Sequence, residues 1–236
     1  MKYSIKHIFT NNVYHALFEI QTFLEQIKSN QYNIYFENLK ISPIALEFVK
    51  LNPNINILDL SDNCIPLEFK DYRYLPSELY IKIRNNYKYL LEDTIDINKK
   101  IYISRKYNSN VKTHKNISAR HIINEDEFYE KVLKSNGFQF ICMEDINILE
   151  QIKLFTNAKC IITPHGSSLT YSLFANKESK IIEIMPKVND KNFFSDICKV
   201  IEIPYMLYSD VNIIDNYLNM EININHFNII HFDCLV

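Results

Sequence analysis

Glycine is nearly absent from this chain, so its two glycines constrain the fold strongly. Gly137 and Gly166 are the only ones among 236 residues, whereas average usage is about 7%. In a sequence this poor in glycine, a glycine that is present indicates a place where a side chain cannot be accommodated. Gly137 follows a predicted helix, where a left-handed residue commonly ends the helix. Gly166 has no such explanation.

The segment around Gly166 has the pattern of a phosphate-binding turn. Residues 160–163 are an apolar run that predicts a strand, and residues 167–175 predict a helix. A strand, a tight turn and a helix N-terminus bring backbone N–H groups and the positive end of a helix dipole to one point, where phosphates bind. The sequence therefore predicts an anion-binding site at Gly166, Ser167 and Ser168.

Composition and charge limit the class of protein. The chain is 47% hydrophobic and 23% charged with a net charge of -2, which is typical of a globular protein and offers no polycationic surface for nucleic acid. Its five cysteines are widely spaced and odd in number, so we expect free thiols and a reducing, cytoplasmic location. No apolar segment is long enough to predict a membrane span.

Short apolar runs alternate with amphipathic stretches, which predicts an α/β fold with parallel sheets. Strands are expected at residues 34–36, 55–60, 101–104, 138–142, 160–163, 180–184 and 205–208. Helices are expected at residues 13–28, 43–51, 78–91, 125–135, 147–158, 167–175 and 192–200. Asn124 is expected to cap the helix at 125–135, and Asn147 with Glu150 forms a capping box for the next helix. Residues 92–100 are the predicted linker.

Basic side chains follow the predicted strands. Arg105 comes directly after residues 101–104, His165 follows residues 160–163, and Arg120 precedes the helix at 125–135. Ligands bind at the carboxyl ends of strands in an open parallel sheet. We interpret Arg105, Arg120 and His165 as groups that bind a diphosphate; the structural alternative is surface ion pairs and a hydrogen-bonded turn histidine.

Several common nucleotide-binding motifs do not occur in the sequence. It contains neither G-x-x-x-x-G-K-S/T nor G-x-G-x-x-G, which disfavours P-loop NTPases and ordinary dinucleotide enzymes. It also contains no D-x-D, the carboxylate pair with which many sugar-nucleotide enzymes hold a divalent metal. Any diphosphate site in this chain is therefore expected to use other groups.

A longer series of motifs runs along the chain. It starts with residues 12–19, NVYHALFE, and continues with eight further elements at residues 101–105, 119–125, 137–138, 150–152, 158, 164–169, 174–175 and 182–186. In this order the series resembles the catalytic domain of family 61 glycosyltransferases, and residues 12–19 are similar to that family's N-x-Y-H-x-x-x-E motif. The chain differs from the family's H-G-A-G-L-x-N motif by having Ser168 and Tyr171 in place of Gly and Asn.

The resemblance implies an α/β fold of GT-B type, with two Rossmann-like domains facing a cleft. It implies an acceptor-side domain at residues 1–98, a domain that binds the nucleotide-sugar at residues 99–215, and a tail at residues 216–236 that packs back on the first domain.

The implied activity is that of an inverting, metal-independent hexosyl- or pentosyltransferase. It would move xylose, N-acetylglucosamine or a similar sugar from a nucleotide-sugar, UDP-linked, to a hydroxyl of a glycan or glycoprotein. No cofactor or metal is expected besides the nucleotide-sugar co-substrate. The alternative is a non-catalytic member of the same fold that binds a nucleotide or a glycan.

The same resemblance assigns roles to individual residues. His15 and Glu19 share one helix face and are expected to be catalytic, one of them as general base; the structural alternative is an ordinary surface pair. Glu183 is expected to accept hydrogen bonds from a ribose, or else to cap a helix or form an ion pair. The expected donor-binding residues are Arg105, Arg120, His165, Gly166, Ser167, Ser168 and Glu183.

Overall fold

The computed structural model describes most of the chain as two compact units, Met1–Asp93 and Thr94–Val236. The boundary expected after residue 98 falls a few residues into the second unit. Each unit contains helices and a parallel sheet, so the predicted α/β class with Rossmann-like sheets is confirmed. The described residues are 1–6, 12–27, 30–37, 41–59, 63–68, 78–91, 97–105, 120–187, 193–216 and 218–231, the last four by their backbone only.

The first unit has a four-stranded parallel sheet in the order β3-β2-β1-β4. This order is that of one half of a Rossmann sheet. Its strands are β1 (Lys2–Ile5), β2 (Tyr32–Phe36), β3 (Ile55–Ile57) and β4 (Ile65–Leu67). Its helices are α1 (Val13–Leu24), α2 (Pro43–Leu51) and α3 (Glu78–Asn86), with a 3-10 turn at Lys88–Leu91.

Local signals explain the helix starts in this unit. Asn12 has extended dihedral angles and its side chain accepts from the backbone of His15, so it caps α1. Ser42 caps α2, with Pro43 at the first helical position, where proline is well tolerated. Helix α1 ends earlier than the helix expected at residues 13–28, and the edge strand β4 lies before α3, where no strand was expected.

The second unit has a five-stranded parallel sheet in the order β6-β5-β7-β8-β9. Counted from β5, this is the doubly wound order 2-1-3-4-5. All five strands expected in this half are present, although β5 and β7 begin earlier than expected, so that Lys99 and Lys100 belong to β5 and not to a linker. The strands are β5 (Lys99–Ser104), β6 (Phe138–Cys142), β7 (Ala158–Pro164), β8 (Lys180–Ile184) and β9 (Tyr205–Tyr208).

The central strands of this sheet form the core of the second unit. Ile101, Ile161, Ile162, Ile181 and Ile182 are all fully buried, because helices cover both faces of a doubly wound sheet and its strands are then apolar throughout. The covering helices are α5 (Ile148–Asn157) and α6 (Phe193–Val200), a 3-10 helix at Ser167–Phe174, and a segment that begins as α4 (Glu125–Phe128) and continues through π-helical and 3-10 turns to Asn136.

The ends of these helices test three local predictions. Gly137 has a φ of 80° and ends the α4 segment in the left-handed conformation, as predicted. The capping box of Asn147 and Glu150 is present. The expected capping role of Asn124 is wrong: its side chain donates to the backbone oxygen of Ile222 at 2.9 Å and accepts from the Ile222 N–H at 3.0 Å. Asn124 therefore ties the start of α4 to a distant strand.

That strand belongs to a hairpin in the C-terminal part of the chain. Strands β10 (Val211–Ile213) and β11 (Met220–Ile222) pair antiparallel, and α7 (Ile224–His231) follows. The ring of Phe227 is fully buried, 4.8 Å from the rings of both Phe128 and Tyr208. This apolar side chain of the tail is therefore buried within the second unit, and the expectation that the tail packs on the first domain stays a prediction. Residues 232–236 lie outside the described residues.

In the described part of the chain, no helix combines the length and the apolar character needed to cross a membrane.

Candidate functional site

The candidate residues of the second unit converge where its strand order reverses. The chain leaves β5 for β6 on one side, and the neighbour of β5 on the other side is β7. Arg105 directly follows β5 and His165 directly follows β7, so both lie at the carboxyl ends of adjacent strands. In a doubly wound sheet, this reversal opens the crevice in which ligands bind.

Arg105 packs against the backbone of the Gly166 turn. Its Nη1 donates to the carbonyl oxygen of His165 at 2.7 Å. A Cβ atom on Gly166 would lie 1.9 Å from this nitrogen and 3.0 Å from the guanidinium carbon. Gly166 has a φ of 177°, which any residue can adopt. Glycine therefore makes room here for the guanidinium that lies against its backbone, and the turn conformation does not require it.

Positive charge accumulates at this edge of the sheet. The pKa of Arg105 is lowered to about 10, mainly by burial and also by the charge of Arg120, while Glu144 opposes the shift. Burial also lowers the pKa of Arg120, against the influence of Glu183. Both guanidinium groups remain charged at neutral pH. Neither forms an ion pair with any residue that the structure describes, so the two partly buried cations are suited to an anionic ligand.

The hairpin of β10 and β11 holds Arg120 and His121 at this edge. The backbone N–H of His121 donates to the side chain of Asn219 at 2.9 Å, and its carbonyl accepts from the Met220 N–H at 2.8 Å. Arg120 has a φ of 43°, a left-handed conformation that costs a non-glycine residue roughly 1 kcal/mol. Such strained residues cluster at functional sites.

His121 also lies at this edge, although it was not among the expected donor-binding residues. Burial lowers its pKa and the neighbouring Arg105 lowers it further. The only sequence signal for it is its place next to Arg120, since its contacts with Asn219 and Met220 come from a hairpin about one hundred residues further along the chain.

His165 is held by a buried carboxylate. Its Nδ1 contacts Oε1 of Glu183, and the hydroxyl of Tyr205 donates to Oε2 of the same carboxylate at 2.5 Å. Glu183 is 3% exposed, and the ring of Phe194 lies 5.2 Å from the His165 ring. Both carboxylate oxygens are thus engaged inside the protein, and the expectation that Glu183 accepts hydrogen bonds from a ribose stays a prediction. Tyr205 was not anticipated, because its contact crosses from β9 to β8.

Ser167 and Ser168 begin a 3-10 helix at Ser167–Phe174, where a helix was expected. Both are half-buried, and the first N–H groups of any helix have no acceptor within the helix. These two N–H groups therefore add donors next to Arg105 and His165. Tyr171, by contrast, is fully buried, with its ring 5.6 Å from that of Phe155, so this departure from the family motif is a change in the core.

Acidic residues beside this edge have structural roles. Glu125 is buried and its carboxylate accepts from the Tyr102 hydroxyl at 2.6 Å and from Ser104 Oγ at 2.8 Å. It thereby joins the start of α4 to the end of β5. Among the described residues, no three His, Cys, Asp or Glu side chains are grouped closely enough to hold a metal ion.

His15 and Glu19 lie on α1 in the first unit. His15 is in the first turn, half-buried, and its ring packs edge-on 5.5 Å from that of Tyr14. Glu19 is 5% exposed and lies one turn further along the same face. Because α1 follows β1, its start lies at the carboxyl edge of the first sheet, beside the point where the order 3-2-1-4 reverses.

The structure thus groups Arg105, Arg120, His165, Gly166, Ser167, Ser168 and Glu183 at one edge of the second sheet. His15 and Glu19 occupy the corresponding edge of the first sheet. No curated protein was found to match this sequence. The model of the family described as glycosyltransferase 61 matches residues 7–182, which is more than half of the chain and includes all of these candidate residues except Glu183.

Proposed function

The chain belongs to the glycosyltransferase 61 family, and from this premise we propose that it is an inverting, metal-independent enzyme with a UDP-linked sugar as donor. The family makes it a glycosyltransferase with a sugar donor and an acceptor. We further propose that the sugar is xylose, N-acetylglucosamine or a related hexose or pentose, and that the acceptor is a hydroxyl of a glycan or glycoprotein.

The observation that carries this proposal is the contact of Arg105 with the Gly166 turn. It fixes a guanidinium at the reversal of the strand order, next to Arg120 and to the first N–H groups of the 3-10 helix. When a nucleotide-sugar reacts, negative charge grows on the departing diphosphate. Fixed donors that face this charge stabilise the transition state. In this proposal, side chains and backbone N–H groups supply the positive charge that many related enzymes take from a metal ion.

The proposed reaction is a direct displacement. The acceptor oxygen forms a bond to the anomeric carbon while the bond from this carbon to the diphosphate oxygen breaks. The electron pair of the broken bond leaves with the diphosphate, and the hydroxyl proton passes to a general base. Attack from the face opposite the diphosphate inverts the anomeric configuration.

We propose His15 as the general base and Glu19 as the residue that supports it. His15 is half-buried at the carboxyl edge of the first sheet, where it can meet an acceptor. Glu19 is more deeply buried, one turn behind it on the same face. A buried carboxylate next to a histidine orients the ring and stabilises its charged form.

A non-catalytic member that only binds a nucleotide or glycan is the alternative. It was suggested by Ser168 and Tyr171, which depart from the family motif. Since Tyr171 is buried in the core, this difference does not alter the surface at which a ligand would bind. Ser168 contributes a backbone N–H whatever its side chain is. These two departures from the family motif therefore do not favour the alternative over the enzyme.

The proposal is tested by calorimetric titration with UDP, GDP and CMP in the presence of EDTA. We expect UDP to bind without metal, and we expect slow release of free UDP when the protein is incubated with the matching UDP-sugar. Binding without release, over a panel of UDP-sugars, would support the non-catalytic alternative. Absence of binding to all three nucleotides would contradict the assignment of the donor site.

The state of the cysteines bears on the cellular location. Four of the five are described, and all four are free thiols: Cys64, Cys142, Cys160 and Cys198. Free thiols are typical of a reducing compartment. This supports our proposal of a cytoplasmic location.

A further inference from the structure

Three side chains form a hydrogen-bonded series that ends at the candidate diphosphate site. Tyr205 donates to one oxygen of Glu183, and the other oxygen contacts Nδ1 of His165. The two nitrogens of an imidazole lie on opposite sides of the ring, so Nε2 of His165 is directed away from Glu183. Nε2 makes no hydrogen bond to a residue that the structure describes.

The carboxylate determines which ring nitrogen carries the first proton. An ionised carboxylate only accepts hydrogen bonds, so Nδ1 of His165 must be protonated. The neutral ring then has its lone pair on Nε2. If Nε2 also gains a proton, the ring becomes a cation whose charge is compensated by Glu183, which is 3% exposed.

Other charged and titratable groups surround the ring. Arg105 approaches from the end of β5, and Arg120 interacts with the charge of Glu183. Tyr205 reaches the same carboxylate from β9, and Cys198 on α6 also lies within its influence. A bound diphosphate would place negative charge beside the ring and would accept a hydrogen bond from a protonated Nε2.

We propose that Glu183 and Tyr205 are positioning residues that turn Nε2 of His165 toward the leaving diphosphate, and that the ring takes up a proton from solvent when the diphosphate binds. This inference rests on the proposed function. During transfer, the Nε2–H donates a hydrogen bond to the phosphate oxygen that receives the electron pair of the broken bond. The ring keeps its proton in this step.

Proton uptake on binding of UDP alone is the test. The full chain is titrated with UDP and EDTA at pH 8 in two buffers of different ionisation enthalpy, which gives the number of protons taken up. The His165 ring nitrogens are observed by NMR before and after UDP, and the His165→Gln variant identifies their signals. We expect net proton uptake and a newly protonated Nε2 in the wild type.

Two variants and two matched controls test the role of the carboxylate. Glu183→Gln keeps the shape but removes the charge, so we expect loss of proton uptake and about 10-fold weaker UDP binding. Tyr205→Phe removes one hydroxyl and should partly reduce proton uptake and UDP affinity. If Glu183→Gln fails to fold, this variant provides the test. The controls are Glu202→Gln, whose carboxylate forms an exposed ion pair with Lys177, and Tyr208→Phe on the same strand as Tyr205. Both should behave as the wild type.

The outcomes distinguish this inference from the proposed function. If the wild type binds UDP but Nε2 stays unprotonated, or if Glu183→Gln takes up as many protons as the wild type, the inference is wrong while the donor site stands. If proton uptake occurs as expected but no sugar is transferred from any donor, the proposed activity fails and the inference stands. If UDP does not bind at all, both are overturned.

Discussion

The guanidinium of Arg105 occupies the space that a Cβ atom of residue 166 would need, 1.9 Å from the ideal position of that atom. The positions of the two residues therefore depend on each other, because the missing side chain of Gly166 allows Arg105 to reach the carbonyl of His165. A side chain added at residue 166 would displace the flexible end of Arg105 and would leave the backbone of the turn in place.

Gly166→Ala is expected to weaken UDP binding more than it weakens the fold. The added methyl group displaces the Arg105 side chain, at a cost in stability of about 1–2 kcal/mol for the lost hydrogen bond. UDP affinity should fall as far as in Arg105→Ala, and the double variant should fall no further, because both changes remove the same contact. Calorimetry and urea unfolding measure the two effects.

Gly137→Ala is the matched control for this experiment. Its φ of 80° strains any side chain, so we expect a loss of stability of about 1 kcal/mol with UDP affinity unchanged. Additive losses of affinity for Gly166→Ala and Arg105→Ala would show that the two residues act separately.

Arg105→Ala and Arg120→Ala should each weaken binding of UDP by about 10- to 100-fold, as expected for the loss of a charge-assisted hydrogen bond. Binding of uridine should change little, because it has no phosphate. Competition titrations measure both ligands. Lys134→Ala, which removes an exposed lysine paired with Glu130, controls for net charge. If the wild type and both arginine variants bind UDP with equal affinity, the phosphate site does not lie at this edge of the sheet.

His15→Ala and Glu19→Gln are expected to abolish most transfer while UDP affinity is retained. Loss of a general base lowers kcat by about 10²- to 10⁴-fold. Rates of sugar transfer and UDP titrations separate the two effects. Glu25→Gln on the exposed surface after α1, where Glu25 pairs with Lys82, is the control. If either His15→Ala or Glu19→Gln abolishes UDP binding, that residue belongs to the donor side.

His121 is expected to make the fold sensitive to acid. Burial and Arg105 lower its pKa, so below the ordinary value of about 6.5 the unfolded chain binds more protons than the folded one. The neutral ring therefore contributes to the free energy of unfolding above about pH 6.5. This contribution is lost as the pH falls through the lower pKa that His121 has in the folded protein. Since the side chain is half-exposed, the effect should be below about 1 kcal/mol.

Urea unfolding at pH 5 and pH 7.5 measures this effect by comparing the wild type with His121→Gln. The variant should lose less stability on acidification than the wild type. Equal losses would show that His121 titrates alike in the folded and unfolded chains.

The buried cysteines are expected to resist alkylation in the folded protein. Burial raises the pKa of Cys160 and of Cys198 to about 12, and only the thiolate reacts. At pH 8, iodoacetamide should label Cys64 and Cys142, which are partly exposed, well before the buried pair. Mass spectrometry of peptides locates the label, and addition of urea should make all four reactive. Early labelling of Cys198 would contradict its burial beside the site.

Some strands of the second sheet could be predicted from the sequence because their signals are local. Residues 138–142, 180–184 and 205–208 are short apolar runs next to turn or capping residues, and they match β6, β8 and β9. The left-handed conformation of Gly137 and the capping box of Asn147 were also predicted from neighbouring residues. In contrast, β1 and β4 of the first sheet were missed, because short strands without flanking glycine resemble other apolar segments.

The grouping of the site depended on contacts between distant segments. The sequence predicted basic residues after strands, but the strand order that brings Arg105 beside His165 is a property of the whole sheet. Tyr205 reaches Glu183 only because β9 pairs with β8, and Asn124 binds Ile222 where a helix cap was expected. Packing of the described tail on the second unit follows from the same kind of long-range contact.

The sequence by itself determined the α/β class, most helices and strands of the second unit, and which residues could bind a diphosphate, because backbone preferences and apolar periodicity act over a few neighbouring residues. Only the tertiary structure decided that Gly166 makes room for Arg105 and that Glu183 holds His165. These roles arise where strands far apart in the chain become neighbours, and side-chain contacts between them depend on strand order and register, which no local pattern specifies.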